Sequence, residues 1–254
     1  AFPERGVKLD AFIRREGLGQ EPEHHSWVRA PSAALRELAP FNTFYASARR
    51  VVIDGVGLKR EAKPITWRFC RSCHHTDQLG TVAAAATPET GCPKCGDGRW
   101  GDVGQVRQVL PMTEVFAVAR HRDAVLGDDA ENRDSKFYET IALFDAGAQA
   151  RDAWANDTVG FGFELQPQMT LRELNLGPND GAEKAQSVQV AGQTVLDVRF
   201  VVCATCGQAR APSSGIQGSG PPREAHRAWC TERKKADDKQ PQRELHLLRE
   251  VRSE

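Results

Sequence analysis

The sequence predicts a mainly β protein with short helices, and three observations predict it. Apolar and polar residues alternate in several short runs, turn-forming Gly and Pro punctuate those runs, and cysteines recur in pairs. Six of the seven cysteines form three CxxC pairs, and the seventh follows a His by four residues. A chain of 254 residues is long enough for a real core, and 40% hydrophobic with 27% charged residues fits neither disorder nor a collagen-like repeat. Lys plus Arg and Asp plus Glu both number 34, so the chain is not a polycation and any nucleic-acid contact has to be a local patch.

Taken in order, the opening reads as a lead-in with a short helical pattern at residues 32–38, capped by Ser32. Residues 43–53, with Phe44, Tyr45, Val51, Val52 and Ile53, favour strands, and Asp54-Gly55 supplies a turn, so a hairpin is expected to run towards Trp67. Trp67-Arg68-Phe69 then enters the first Cys pair, and residues 81–90 form the loop to the second. Strands are expected at 115–119 and 137–144, separated by a polar surface loop. The acidic run in that loop, Asp128, Asp129, Glu131 and Asp134, lacks the ligand spacing of a calcium site. Phe161, Phe163 and Leu165 alternate as a half-buried strand, as do Val188, Val190, Leu196, Val198, Phe200 and Val202 on either side of the turn Ala191-Gly192. Residues 211–222 are a Ser/Gly/Pro connection, 223–235 a helix, and 244–251 a strand. The expected division is a lead-in and hairpin at 1–64, a ribbon at 65–101, and a β-rich domain at 102–254 with a second knuckle at 203–230, cut inside a domain at its C-terminal end.

Cys70-Arg-Ser-Cys73, an 18-residue gap, and Cys92-Pro-Lys-Cys95-Gly96 place four thiolates where two tight knuckles can close a tetrahedron, the pattern of a zinc ribbon. Cys203-Ala-Thr-Cys206-Gly207, a 19-residue gap, then His226 and Cys230 give a second set of three thiolates and one imidazole. On a helix, His226 and Cys230 share one face. The expected cofactor is therefore Zn2+ at two closed, structural sites. Cys70 to His74 also spells the haem-attachment pattern, which leaves the Cys92/Cys95 pair unexplained. His24, His25, His121 and His246 read as ordinary residues. No phosphate loop, dinucleotide fingerprint, GxSxG or HExxH occurs, so no catalytic residue is assigned.

Arg49, Arg50, Arg68, Arg71, Lys234 and Lys235, with Trp67 nearby, suit phosphate contact and base stacking, or else blunt solvated strand edges. No apolar run is long enough to span a bilayer and the first residues lack a secretory layout, so the expected compartment is the cytoplasm.

The segments LRELAPFNTFYASARRVVIDGV, ITWRFCRSC, CPKCGDGRW, VLPMTEVFAVAR, DSKFYETIALFD, FGFELQ with TLRELNLG, and VVCATCG, in that order, resemble one family. It is the accessory region, bearing DUF1998, of large bacterial DEAD/DEAH-box superfamily 2 helicases of the mitomycin-repair and phage-defence types. The resemblance covers the chain from about Pro31 onward. It implies an ATP-driven DNA helicase or translocase whose motor lies elsewhere in the same polypeptide, with DNA as partner and the eight metal ligands above as family ligands. The alternatives are a free-standing zinc-ribbon scaffold for protein interaction, and an enzyme with one open zinc position.

Overall fold

Val7, Leu9, Ala11 and Ile13 alternate with polar or less buried residues, and period-two alternation of this kind makes a strand with one buried face. The opening is accordingly part of a sheet and not a lead-in. The computed structural model describes residues 5–15, 21–58, 63–79, 91–126, 136–146, 151–179, 185–210, 226–227, 229–234 and 241–252. The first elements are β1 (Val7–Arg14), β2 (Glu23–Arg29), α1 (Pro31–Glu37), β3 (Thr43–Ala46), β4 (Arg49–Val52), β5 (Gly55–Val56), β6 (Ile65–Phe69) and β7 (Thr76–Leu79). Then come β8 (Val106–Pro111), β9 (Glu114–Arg120), α2 (His121–Ala124), β10 (Tyr138–Ala146), β11 (Asp152–Asn156), β12 (Phe161–Leu165) and β13 (Met169–Pro178). The last are β14 (Gln186–Val190), β15 (Gln193–Asp197), β16 (Phe200–Cys203), β17 (Ala209–Arg210) and β18 (Gln242–Arg252). The architecture is mainly β, as the sequence predicts.

Two sheets carry the body. One has the order β2-β1-β9-β5, with β1 and β9 parallel; the other runs β10-β13-β18-β8-β6-β7, with β16 on β18 and β17 on β16. These pairings cross the boundaries expected at 64/65 and 101/102, since β9 pairs with β1 and β8 pairs with β6. The three segments therefore interleave within shared sheets.

Strand β18 holds the body together. Its first half pairs with β16, its second half with β13, and His246 to Leu248 lie parallel to Val109 to Pro111 of β8. Leu245 and Leu247 join the first apolar core with Val7, Leu9, Leu38, Ile53 and Phe200. Leu248 joins the second with Trp67, Phe69, Ile141, Leu143 and Leu174. One alternating strand thus seals two cores, one on each face.

Local corrections have physical causes. Helix α1 starts at Pro31, whose fixed φ suits the first helical position; Ser32 makes no cap, and Asn42 Nδ2 instead donates to the C-terminal carbonyls of Arg36 and Glu37. The β3–β4 hairpin turns at Ser47 and Ala48, both with φ near +50° (51° and 55°), and not at Asp54-Gly55. Asp54 is buried: its Oδ2 accepts the Val118 N–H at 2.5 Å, its carbonyl accepts the Ala209 N–H at 2.7 Å, and burial pushes its carboxyl up to about 7. The β14–β15 hairpin turns at Ala191-Gly192 as expected. The Phe161–Leu165 strand is present, yet it is not half-buried: β11 and β12 form a separate two-stranded hairpin whose residues are all exposed. The loop at 81–90, the connection at 211–222 and the acidic run at 128–134 lie outside the described residues.

Backbone packs on backbone where β5 meets the turn after Cys206. Gly207 has φ +78°, and a Cβ there would sit 1.9 Å from the Val56 carbonyl oxygen; Val56 N donates to Gly207 O at 2.9 Å. Gly207→Ala is expected to lower stability by at least about 2 kcal/mol, read from denaturant unfolding of the metal-loaded protein. An unchanged unfolding midpoint would show that the β5 contact is dispensable.

Asp54 makes a second prediction. Its folded pKa lies above the unfolded value, so the folded state holds the extra proton between about pH 4 and pH 7, and stability falls as pH rises through that window. Asp54→Asn should flatten this slope by up to about 1.4 kcal/mol per pH unit relative to wild type, measured as unfolding free energy across the same pH range.

Candidate metal centres

Each of the three CxxC turns closes in the same way. The N–H of the first Cys donates to the carbonyl five residues on: Cys70 to His75 at 3.0 Å, Cys92 to Asp97 at 2.9 Å, and Cys203 to Gln208 at 2.8 Å. In the two turns followed by Gly, the glycine N–H also returns to the first Cys carbonyl, Gly96 to Cys92 at 2.7 Å and Gly207 to Cys203 at 2.9 Å. Those glycines share φ values of +77° and +78°, left-handed backbone that a side chain resists. The turn tucks both sulfurs of a pair to one side.

Strands then deliver the pairs. Cys70 directly follows β6, and β7 returns antiparallel to it, so the first knuckle is the tip of a hairpin. The tip of β14–β15 caps this knuckle, with Ala191 N donating to Cys70 O at 2.9 Å and Gly192 N to Arg71 O at 2.6 Å. Cys203 ends β16, which β18 holds through the Cys203/Gln242 register. Of the helix expected at 223–235, the described residues 226–227 and 229–230 are not helical: Cys230 N donates to Arg227 O at 2.8 Å in a turn, and one short 3-10 turn follows at Thr231–Lys234. The expected shared helix face of His226 and Cys230 is replaced by this turn, because the two ligand atoms must converge on a knuckle already fixed by β16.

Cys70, Cys73, Cys92 and Cys95 bring their sulfurs together, and so do Cys203, Cys206, Cys230 and the His226 ring; within each set all ligand atoms lie within 4.8 Å of one another. Cys70 Sγ is 3.5 Å from Cys95 Sγ, and Cys73 Sγ is 3.7 Å from Cys92 Sγ. In the second set Cys203 Sγ is 4.0 Å from Cys230 Sγ, and Cys206 Sγ is 3.2 Å from His226 Nδ1. These separations are too long for a disulfide of about 2.05 Å. They match the edges of a tetrahedron with metal–sulfur bonds of about 2.3 Å, namely about 3.8 Å between sulfurs and about 3.6 Å from sulfur to nitrogen. Both sets therefore fit a tetrahedral ion such as zinc.

Electrostatics point the same way. Burial pushes the Cys70, Cys73 and Cys230 thiols up and takes Cys206 to about 12, whereas Cys95, accepting the Asp97 N–H, is lowered. Buried thiols in this state stay protonated unless a cation offsets their charge. Four protein ligands at each centre leave no coordination position for water or substrate, so the arrangement can brace a fold but has nowhere to activate a nucleophile.

Two members of the nucleic-acid patch expected from the sequence are buried. Trp67 is 5% exposed and lies beneath Arg172, whose guanidinium is 4.7 Å from the indole; Arg68 is 3% exposed and stacks over Trp100 at 5.6 Å. Neither can meet a strand in solution, and both correct the expected nucleic-acid set. Arg49 pairs with Glu23 at 3.7 Å, and Arg50 donates to the Asp123 carbonyl at 2.9 Å, both from β4. Arg71 is in the first knuckle and donates to Gln189. Lys234 belongs to the turn after Cys230, and Lys235 lies outside the described residues.

Sequence reasoning missed His246. It is buried, with Nε2 2.9 Å from Asp197 Oδ1 and Nδ1 donating to the Leu176 carbonyl at 3.2 Å. A His among the leucines of LHLL, residues 245–248, was the available signal. Compared with family models, curated proteins and solved structures, the chain has no match.

Purified protein is expected to carry two equivalents of metal. Cys73→Ser or Cys95→Ser should each remove the first equivalent alone, and Cys206→Ser the second alone, by elemental analysis. Binding free energies of small structural sites are on the order of 10 kcal/mol, so each loss should also produce a large fall in melting temperature. Retention of both equivalents in all three variants would refute the assignment.

Proposed function

We propose that the chain is a zinc-held, nucleic-acid-associated accessory region of an ATP-dependent DNA helicase or translocase, with the motor in the same polypeptide. The observation that carries the structural half of this reading is the pair of closed four-ligand centres. Zinc suits such N/S donor sets because it imposes tetrahedral geometry and has no redox chemistry of its own. The helicase half rests on the ordered resemblance of the segments quoted above, from LRELAPFNTFYASARRVVIDGV to VVCATCG. An accessory role accords with the absence of a phosphate loop from the sequence. Among the described residues no helix is long and apolar enough to cross a membrane.

A second reading, a protein-interaction scaffold, is favoured by one specific observation. The β11–β12 hairpin exposes Trp154 (50%), Phe161 (65%) and Phe163 (57%) on a chain of zero formal net charge. Exposed aromatic clusters of this kind are common at protein interfaces.

Two measurements separate the readings. Sequencing the transcript on both sides of this segment should show an upstream phosphate loop and acidic ATPase box; a start codon just before Ala1 and a stop just after Glu254 would end the helicase reading. Fluorescence anisotropy with single-stranded DNA should show binding that weakens steeply between low and physiological salt. Undetectable or salt-insensitive binding would favour the scaffold, for which Phe161→Ser with Phe163→Ser should abolish partner capture while leaving metal content unchanged.

A further inference from the structure

The two metal centres differ in how their ligands meet solvent. Cys203, Cys206, His226 and Cys230 are all buried, none more than 5% exposed. In the first centre Cys70 and Cys92 are buried and Cys73 is half-buried, but Cys95 is exposed, the one exposed cysteine of the seven.

Packing explains the asymmetry. Trp100, itself buried, clusters with Cys70, Cys92 and Cys73 and leaves Cys95 outside the group. The β14–β15 tip covers the same knuckle at Cys70 and Arg71. Cys95 instead lies in a turn whose neighbours Pro93, Lys94 and Gly96 are exposed as well. At the second centre Cys203 ends a strand held by β18, and the turn after Cys206 presses its backbone onto β5, so no ligand faces outward. Oxidants select cysteines that are accessible and stand beside a second thiol able to resolve the first product. Cys95 meets both conditions, because Cys70 Sγ lies 3.5 Å behind its sulfur.

We propose that Cys95 is an oxidative modification site, where hydrogen peroxide joins Cys95 to Cys70 and opens the first centre while the second stays closed. The Cys95 thiolate attacks one peroxide oxygen, the O–O bond breaks, hydroxide leaves, and Cys95 becomes a sulfenic acid. The Cys70 thiolate then attacks the Cys95 sulfur and expels a second hydroxide, forming the S–S bond. The two sulfurs give up two electrons in all, and the peroxide takes them, leaving as two waters once two protons are added. Only Cys73 and Cys92 then remain as ligands, too few for a closed tetrahedral site. The turn at 92–95 is thereby freed from the β6–β7 tip, whereas β16, β18 and β5 stay tied through the second centre. This chemistry depends on the metal assignment above and not on the DNA reading.

The test uses the metal-loaded full chain, its metal first counted by elemental analysis; a count of zero would overturn the metal assignment and this proposal together. Hydrogen peroxide is then added with a chromogenic chelator, and the oxidised cysteines are mapped by differential alkylation and mass spectrometry. One equivalent of metal is expected to leave at least about tenfold faster than the other, with a Cys70–Cys95 disulfide formed and Cys203, Cys206 and Cys230 still reduced. A dithiol reductant with added Zn2+ should restore the lost equivalent. Cys95→His keeps four ligands, in the same donor set as the second centre, and should slow the fast release by at least about tenfold. The mapping needs wild type alone, so it reports even if this variant does not fold. Release of both equivalents at one rate, no release under peroxide, or a fast phase in which Cys95 stays reduced overturns the proposal.

Discussion

The constraint on which most of this structure depends is the desolvation of thiols. Each centre gathers ionisable sulfurs in or near the interior, where burial raises Cys70, Cys73, Cys206 and Cys230 and keeps them protonated. Protonated thiols at 3.5 to 4.0 Å attract one another weakly and would not hold the two chain segments of each centre in place. A bound dication changes the balance: it favours the thiolates, releases protons, and converts coordination energy into folding energy. Metal affinity should therefore share the pH dependence of the thiols and decline on acidification.

From the two centres the constraint spreads through backbone contacts more than through side chains. The first knuckle is capped by the β14–β15 tip at Cys70 and Arg71, and the next turn in sequence after that hairpin carries Asp197 and Arg199 into the polar layer. The second knuckle meets β5 through Gly207, where the absence of a side chain lets two carbonyl-bearing segments touch. Asp54 lies in the same contact, its carbonyl holding Ala209 and its carboxyl holding Val118. Through β5 and β9, the second centre is thus wired to the first sheet, and through β16 and β18 to the other.

How much of this was legible in the sequence follows from the range of each interaction. The CxxC pairs were legible because a knuckle is local, and so was the Ala191-Gly192 turn. The strand at Val7, Leu9, Ala11 and Ile13 was present as a period-two pattern, but its nearby partner β2, EHHSWVR, carries little apolar alternation, and its other partner β9 lies about a hundred residues on. Asp54-Gly55 carried a strong turn signal that tertiary packing overrode. Trp67 and Arg68 seemed a mixed aromatic and basic patch because they are adjacent in sequence. Neighbours on a strand point to opposite faces, however, and both faces of β6 are covered, by Arg172 and by Trp100. The converse error concerned β12, whose alternation of Phe161, Phe163 and Leu165 implied a buried face where the structure supplies no layer to cover it.

Chemical capacity divides accordingly. A metal ion with four protein ligands is saturated, and its charge is absorbed by the sulfurs it binds, so neither centre offers a valence to anything outside the chain. The polar layer around β18 is a different case, because its charged groups are paired with one another within the chain. Asp197 Oδ2 accepts from Arg199 Nε at 3.1 Å and Nη2 at 2.7 Å, while its Oδ1 lies 2.9 Å from His246 Nε2 and 3.8 Å from Arg107 Nε. The remaining guanidinium cannot discard its proton, since arginine stays charged at any pH at which the protein is folded. Its charge is offset by the Asp197 carboxylate 3.8 Å away, so this layer braces the fold through buried ion pairs as the metal centres brace it through coordination.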